Sequence, residues 1–165
     1  MIILGVDPGS AIAGYAILNK EKDKNQPLKV IDFGCITTES SSPTGERLKK
    51  VYREVLKLIA KYKPDLMSIE SLYFFKNLKT VMPVSQAKGV ILLAAAEKNI
   101  PVLEFTPLQV KMTVAGYGRA EKKQVIEMIK RLLNLEEFDL KENNRKKDDA
   151  FDALGVAICA AYKNY

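Results

Sequence analysis

The chain has 165 residues, of which 26 are basic, 20 are acidic and none is histidine, and this length favours a single domain over residues 1–165. The absence of histidine excludes Ser-His-Asp and Cys-His catalysis and the common zinc sites, so any catalysis must use carboxylates, lysines, hydroxyls or an oxygen-bound metal. No apolar run reaches the length of a membrane span, and the net charge of +6 favours an anionic partner such as nucleic acid.

The first part of the chain has the pattern of a three-stranded antiparallel meander followed by a helix. The segments that favour strands are separated by short turns and comprise residues 2–6, 13–20 and 28–38. Apolar residues then recur at helical spacing from Thr44 to Tyr62, which predicts an amphipathic helix that ends before Pro64.

The second part alternates strands with helices. Strands are predicted at residues 65–70 and 100–105, and a mixed aromatic and basic segment follows the first of them. Helices are predicted over residues 87–99, 106–116 and 119–135, and from about Asp148 onward. Thr106 is the expected N-cap of the second of these helices, with Pro107 as its first residue. This order predicts an α/β fold with a five-stranded mixed sheet flanked by helices, compatible with the ribonuclease H-like arrangement.

Four acidic residues occupy positions where such a fold can bring them together. Asp7 ends the first strand and Glu70 ends the fourth, so the two converge beyond the sheet edge if these strands are neighbours. Asp149 and Asp152 are three residues apart and share one face of the final helix. Each acid alone also has an ordinary explanation, as a turn residue, a solvated strand end, or an N-cap and first-turn acid that suits the helix dipole.

The combination of four acids is costly unless it binds cations. Carboxylates in one place repel each other and raise each other's pKa values. Mg²⁺ prefers such hard oxygen ligands and keeps water and substrate phosphate in the rest of its shell. Two ions about 4 Å apart can activate a water and stabilise the leaving oxygen of a phosphodiester. The sequence therefore predicts a metal site at this edge of the sheet.

Four longer stretches resemble the RuvC family of Holliday junction resolvases, and together they run nearly from end to end. The stretches are ILGVDPGSAIAGYAI, SIESLYFFKN, QVKMTVAGYGRAEKKQV and DDAFDALGVAI. The resemblance implies a ribonuclease H-like, homodimeric endonuclease that depends on Mg²⁺, with two ions expected per active site and Mn²⁺ expected to substitute. Its substrate would be a four-way DNA junction cut on two symmetric strands, delivered by a branch-migration motor complex. The start MIILGV is too short for a signal sequence, so we expect the protein in the cytoplasm.

The resemblance also assigns roles to individual residues. By position, the acids that hold metal and carry catalysis would be Asp7, Glu70, Asp149 and Asp152, whereas Asp148 has no counterpart and is expected to be a cap or an accessory acid. Lys111 and Lys122 match family lysines at the DNA and the active site. Tyr73 falls where relatives often carry a stacking phenylalanine, and Phe74 is the alternative ring. The remaining expected DNA contacts belong to a basic rim around the acidic centre and are Lys76, Arg119 and Lys123.

Three other functions fit parts of the pattern. Actin-like and sugar-kinase ATPases also carry a DPG turn at a strand end, but they need a second glycine-rich phosphate turn and usually a longer two-lobed chain, which this sequence lacks. A non-cutting protein that only binds junctions is possible in principle, although all four acids are present. Another nuclease or transposase of the same fold is the nearest alternative, and a cleavage assay on junction and duplex DNA distinguishes it from a resolvase.

Overall fold

The computed structural model describes residues 1–23, 26–71, 78–135 and 144–163, with side chains outside the description at 78–80 and 144–147. Within these residues, five strands form one sheet in the order β3-β2-β1-β4-β5. The strands are β1 (Ile2–Asp7), β2 (Ile12–Asn19), β3 (Lys29–Thr37), β4 (Leu66–Glu70) and β5 (Val102–Phe105). The first three pair antiparallel, whereas β4 is parallel to both β1 and β5. The predicted meander and mixed sheet are confirmed.

The helices of the described residues flank both faces of this sheet. They are α1 (Thr44–Tyr62), α2 (Leu78–Glu97), α3 (Pro107–Ala115), α4 (Lys122–Leu132) and α5 (Asn144–Tyr162). Helices α1 and α2 cover one face and α5 covers the other, where α3 and α4 pack against it. None of these helices is both long and apolar enough to cross a membrane.

Three helix starts differ from the prediction. Helix α4 begins at Lys122, three residues after the predicted start at Arg119. Helix α2 begins at Leu78 and continues through Pro83, although a proline inside a helix removes one hydrogen bond and disfavours that assignment from sequence. Helix α5 begins at Asn144 and so includes the basic residues 145–147, which are good helix formers. The interpretation of Asp148 or Asp149 as an N-cap is therefore wrong, since both lie in the second turn.

The start of α3 agrees with the sequence. The Thr106 side chain accepts a hydrogen bond from the backbone N–H of Gln109, and the Gln109 side chain accepts one from the Thr106 N–H. This capping box satisfies two N–H groups that a helix start otherwise leaves unpaired. Gly116 ends the helix with φ of 70°, a left-handed conformation that glycine adopts without strain. Helix α3 is thus fixed at both ends, which holds Lys111 in place.

Helix α5 lies directly on the backbone of the two central strands. A Cβ atom on Gly5 would stand 2.3 Å from the carbonyl oxygen of Ala153, and one on Gly14 would stand 1.9 Å from that of Asp149. Only glycine fits at such separations. Every residue of the helix from Ala150 to Ala161 except Asp152 is also buried, so burial of its apolar surface holds it firmly against the sheet. Its acidic residues are consequently placed by the core.

Candidate active site

The carboxyl ends of β1 and β4 bring Asp7 and Glu70 side by side. The two strands are parallel neighbours with Val6 opposite Ile69, so the next residue of each strand emerges at the same edge of the sheet. The Asp7 and Glu70 carboxyl groups are close enough that each shifts the pKa of the other. The sequence predicted that these two acids converge if β1 and β4 are neighbours. The sheet order makes the two strands neighbours.

Helix α5 adds Asp149 and Asp152 to the same edge. The close approach of its backbone to Gly14 sets Asp149 over β2, next to the strand that ends in Asp7. The negative charges of Glu70, Asp152 and Asp149 all act on Asp7. The structure therefore brings together all four acids that the sequence singled out.

Burial and mutual repulsion keep these carboxyl groups from ionising readily. Burial, and then the charge of Glu70, holds the pKa of Asp7 well above its ordinary value. Burial followed by the charge of Asp152 raises the pKa of Glu70 from 4.5 to about 7. The pKa values of Asp149 and Asp152 are also raised, in both cases mainly by burial. Such a cluster gains most from a nearby cation, because a cation stabilises every ionised form at once.

Lys122, in the first turn of α4, is one such cation. Its Nζ donates a hydrogen bond of 2.9 Å to Asp152 and lies 3.6 Å from Asp148. Partial burial opposes its charged form, but the hydrogen bond and charge of Asp152 outweigh that effect and raise the pKa of Lys122. Asp148 thus lies beside the site as an ion-pair partner of Lys122, in agreement with its interpretation as an accessory acid.

A cavity of about 260 Å³ opens beside the acids. Glu70, Asp152, Lys111 and Lys122 line it together with apolar side chains of α3 and α4, namely Pro107, Val110 and Val125. Two carboxylates and two ammonium groups on one cavity wall suit a substrate that carries both negative charge and a bound metal. The sequence had not predicted the apolar half of the wall, because the pattern of those residues indicates only that they lie on the buried faces of two helices.

The donor set fits a hard divalent cation. Among the described residues, no three His, Cys, Asp or Glu side chains already stand as a closed metal-binding group. The lack of a closed group among these residues agrees with two features of the site. The four carboxylates repel one another, and one of them, Asp152, is held by Lys122. Oxygen donors from two strands and one helix, with raised pKa values, nevertheless match the ligand preference of Mg²⁺ and not that of softer metals.

The model of one protein family, described as crossover junction endodeoxyribonuclease RuvC, matches residues 3–160. The chain belongs to the RuvC family. The crossover junction endodeoxyribonuclease RuvC of Alkaliphilus oremlandii is 51% identical over 162 residues, which cover 98% of this chain and 93% of the relative. RuvC proteins are metal-dependent nucleases of DNA recombination and repair.

Two solved structures of Thermus thermophilus RuvC support the same fold. The protein alone matches with a TM-score of 0.84 and 29% identity, over 98% of this chain and 95% of that one. RuvC in complex with Holliday junction substrate matches with a TM-score of 0.86 and 26% identity, over 98% and 93% of the two chains. The ribonuclease H-like fold predicted from the sequence is confirmed.

The residues expected to contact DNA in a RuvC protein are only partly described. Lys111 is half-buried on the cavity wall, while Arg119 and Lys123 are exposed on the turn before α4 and in its first turn. Of these three residues, only Lys111 lines the cavity beside the acids. Three other expected contacts, Tyr73, Phe74 and Lys76, lie outside the described residues.

Sequence reasoning missed two polar residues close to this RuvC site. Arg47 of α1 and Thr38 after β3 both hydrogen-bond to the carbonyl oxygen of Ser10, in the turn that follows Asp7. In the sequence Arg47 stands among solvated charges at the start of a helix, and no local signal marks it. Only the packing of α1 beside the turn gives it a partner.

Proposed function

We propose that this chain is a Mg²⁺-dependent endonuclease that resolves four-way DNA junctions by paired, symmetric incisions. The observation that carries the proposal is the convergence of Asp7, Glu70, Asp149 and Asp152 at one sheet edge, with Lys111 and Lys122 on the same cavity wall. Family membership supports the reaction class, and the Thermus thermophilus complex with Holliday junction substrate supports the choice of DNA.

In this proposal the four acids hold two Mg²⁺ ions, and Mn²⁺ substitutes for them. When bound, the ions supply an activated water and stabilise the leaving oxygen of the phosphodiester. The side chains of the protein itself have three further roles. Burial and repulsion make Asp7 and Glu70 depend on the cations for their charged forms, Lys122 orients Asp152 through its hydrogen bond, and Lys111 attracts the phosphate.

The test is cleavage of a synthetic four-way junction beside a linear duplex of the same arm sequence, with and without Mg²⁺. We expect paired nicks in the junction and none in the duplex, and we expect them only when Mg²⁺ is present. A ligase should be able to reseal the nicked products. Equal cutting of the duplex would favour another nuclease of the same fold. Tight junction binding without cutting in Mg²⁺ or Mn²⁺ would favour a protein that only binds junctions.

Lys111→Ala is expected to weaken junction binding whatever the DNA sequence. A lysine that neutralises one phosphate releases about one counterion on binding, so its loss should make the slope of log affinity against log salt shallower by about one unit. Fluorescence anisotropy at several salt concentrations measures this slope. The control is Lys50→Ala, because Lys50 is exposed on α1, the helix that packs on the opposite face of the sheet from α5. An unchanged slope for Lys111→Ala would remove this residue from the phosphate contacts.

The other DNA contacts remain part of the proposal on the strength of the family resemblance. Either Tyr73 or Phe74 would stack on a strained base near the centre of the junction, since base–aromatic stacking needs only an exposed ring face. Lys76, Arg119 and Lys123 would bind phosphates around it. Resemblance alone also supports two wider elements, a cytoplasmic location and delivery of the junction by a branch-migration motor complex.

Paired incisions require two active sites, so we propose an isologous homodimer. The outer face of α2 supports this choice of surface. Five of its exposed residues recur at alternating spacings of four and three, as in helix pairs, and are Met82, Gln86, Gly89, Leu93 and Ala96. Leu93 is 52% and Met82 64% exposed, and a Cβ on Gly89 would meet nothing within 4 Å, which leaves room for a second helix.

Leu93→Glu is expected to weaken the dimer by at least about tenfold, because a buried charge replaces a central apolar contact. Light scattering at a series of concentrations should then show a larger fraction of the 18.4 kDa species than in the wild type. Ile31→Glu is the matched control, since Ile31 is an exposed apolar residue on β3, away from α2. A wild-type protein that stays monomeric with and without junction DNA would contradict the homodimer.

A further inference from the structure

The turn that follows Asp7 has almost no room to adjust on its inner side. It comprises residues 8–11 and joins β1 to β2. A Cβ on Gly9 would lie 1.8 Å from the carbonyl oxygen of Ile12, so the turn already folds back on itself as closely as a glycine permits. Any side chain larger than that of glycine would force the turn open at this position.

Arg47 and Thr38 hold the turn through hydrogen bonds to its backbone. The Nη2 of Arg47 donates a hydrogen bond of 2.7 Å to the Ser10 carbonyl oxygen, and its Nε donates one of 3.0 Å to the Thr38 hydroxyl. The Thr38 hydroxyl in turn donates to the Ser10 carbonyl oxygen over 2.7 Å. The backbone N–H of Thr38 donates to the Ala11 carbonyl oxygen at 2.9 Å. We call these contacts the turn clamp.

The turn clamp acts on Asp7 through the backbone and not through charge. Every hydrogen bond by which Arg47 takes part in the turn clamp ends on Ser10 or Thr38, and none ends on Asp7. Arg47 is also half-buried, with the Nε and Nη2 edge of its guanidinium turned to two protein acceptors. A planar fork that fits two acceptors at once is a property of arginine that lysine does not share.

We propose that Arg47 is a positioning residue, which holds the 8–11 turn through Ser10 and Thr38 and so fixes Asp7 at the place where it must hold a metal ion. This inference rests on the proposed function in assigning that task to Asp7. Displacement of a catalytic group by about 1 Å can cost on the order of 100-fold in rate, so loosening of the turn should be visible in the chemistry.

The test compares Arg47→Ala and Arg47→Lys with the wild type and with Arg53→Ala, a control on an exposed position of the same helix. In both Arg47 variants we expect faster hydrogen exchange at the amides of residues 9–12, a rise in the Mg²⁺ concentration for half-maximal cleavage, and a fall of about 10- to 100-fold in single-turnover rate. The junction dissociation constant in EDTA should stay unchanged. Arg53→Ala should match the wild type in all four measurements.

Two results would overturn the proposal. One is unchanged hydrogen exchange in the turn of Arg47→Ala. The other is weakened junction binding by Arg47→Ala that Arg47→Lys restores, which would make Arg47 a phosphate contact. If Arg47→Ala does not fold, Thr38→Val and Thr38→Ser decide the matter, since only the serine keeps the hydroxyl and only the valine should loosen the turn. A wild-type protein that fails to cut junctions would overturn the proposed function, while hydrogen exchange would still decide the role of Arg47.

Discussion

Asp7→Asn is expected to abolish junction cleavage while leaving junction affinity within about twofold of the wild type. Removal of a carboxylate that holds metal costs several kcal/mol of transition-state stabilisation, which corresponds to at least about a thousandfold in rate. Affinity is expected to persist because it comes from basic side chains and not from the acids. Single-turnover cleavage in Mg²⁺ and binding in EDTA measure the two quantities separately.

Asp148→Asn is the matched control for this loss. Asp148 lies four residues before Asp152 on α5, carries the same charge, and contacts Lys122 at 3.6 Å in a solvent-accessible ion pair, which is worth little in water. Its amide variant should cut within a few fold of the wild type. Rapid cutting by Asp7→Asn would remove the metal-ligand assignment, and an inactive Asp148→Asn would mean that the acids of α5 are assigned in the wrong register.

Glu70→Gln is expected to make the metal-free protein more stable at pH 8 while it destroys activity. Burial and the charge of Asp152 raise the pKa of Glu70 from 4.5 to about 7. The folded state therefore holds a proton that the unfolded chain has released, and the resulting stability is complete below about pH 4.5 and lost as pH rises through about 7. At about 1.4 kcal/mol per pKa unit, the ionised carboxylate costs the folded state about 3 kcal/mol.

The glutamine side chain is neutral at every pH, so the difference in stability between the variant and the wild type depends on pH and on bound metal. We expect the variant to melt about 6–12 °C higher than the wild type at pH 8 in EDTA, and at nearly the same temperature at pH 4.5. Saturating Mg²⁺ at pH 8 should stabilise the wild type more than the variant. Glu39→Gln, at an exposed position, should show no such dependence. A lower melting temperature for Glu70→Gln at pH 8 would contradict the raised pKa.

The sequence predicted those parts of the molecule that local patterns encode. The end of β4 at Glu70 follows from a short apolar run that closes on a charge, and the start of α3 follows from Thr106, Pro107 and Gln109, which act on one another within a single turn. The four acids were found for the same reason, because each falls where a strand ends or on one face of a helix. Their convergence needed one long-range fact, the adjacency of β1 and β4.

The parts that escaped prediction depend on contacts between distant segments. The continuation of α2 through Pro83 is unfavourable by local preference and is set by the docked helix. The start of α5 at Asn144 lies in a stretch so polar that it reads as a loop. Arg47 gains its partners only because α1 packs beside the turn after Asp7. The residue pattern within 44–62 does not indicate that contact.

The seating of α5 on Gly5 and Gly14 has a consequence for the safety of the cell's own DNA. Asp7 and Glu70 reach Asp149 and Asp152 only after β4 has paired with β1 and the helix has docked on the finished sheet. Contacts so far apart along the chain form late in folding, since closing long loops is entropically costly. A molecule whose α5 has not docked on the sheet therefore lacks the complete cluster of acids, which ties the chemistry that cuts DNA to the native fold.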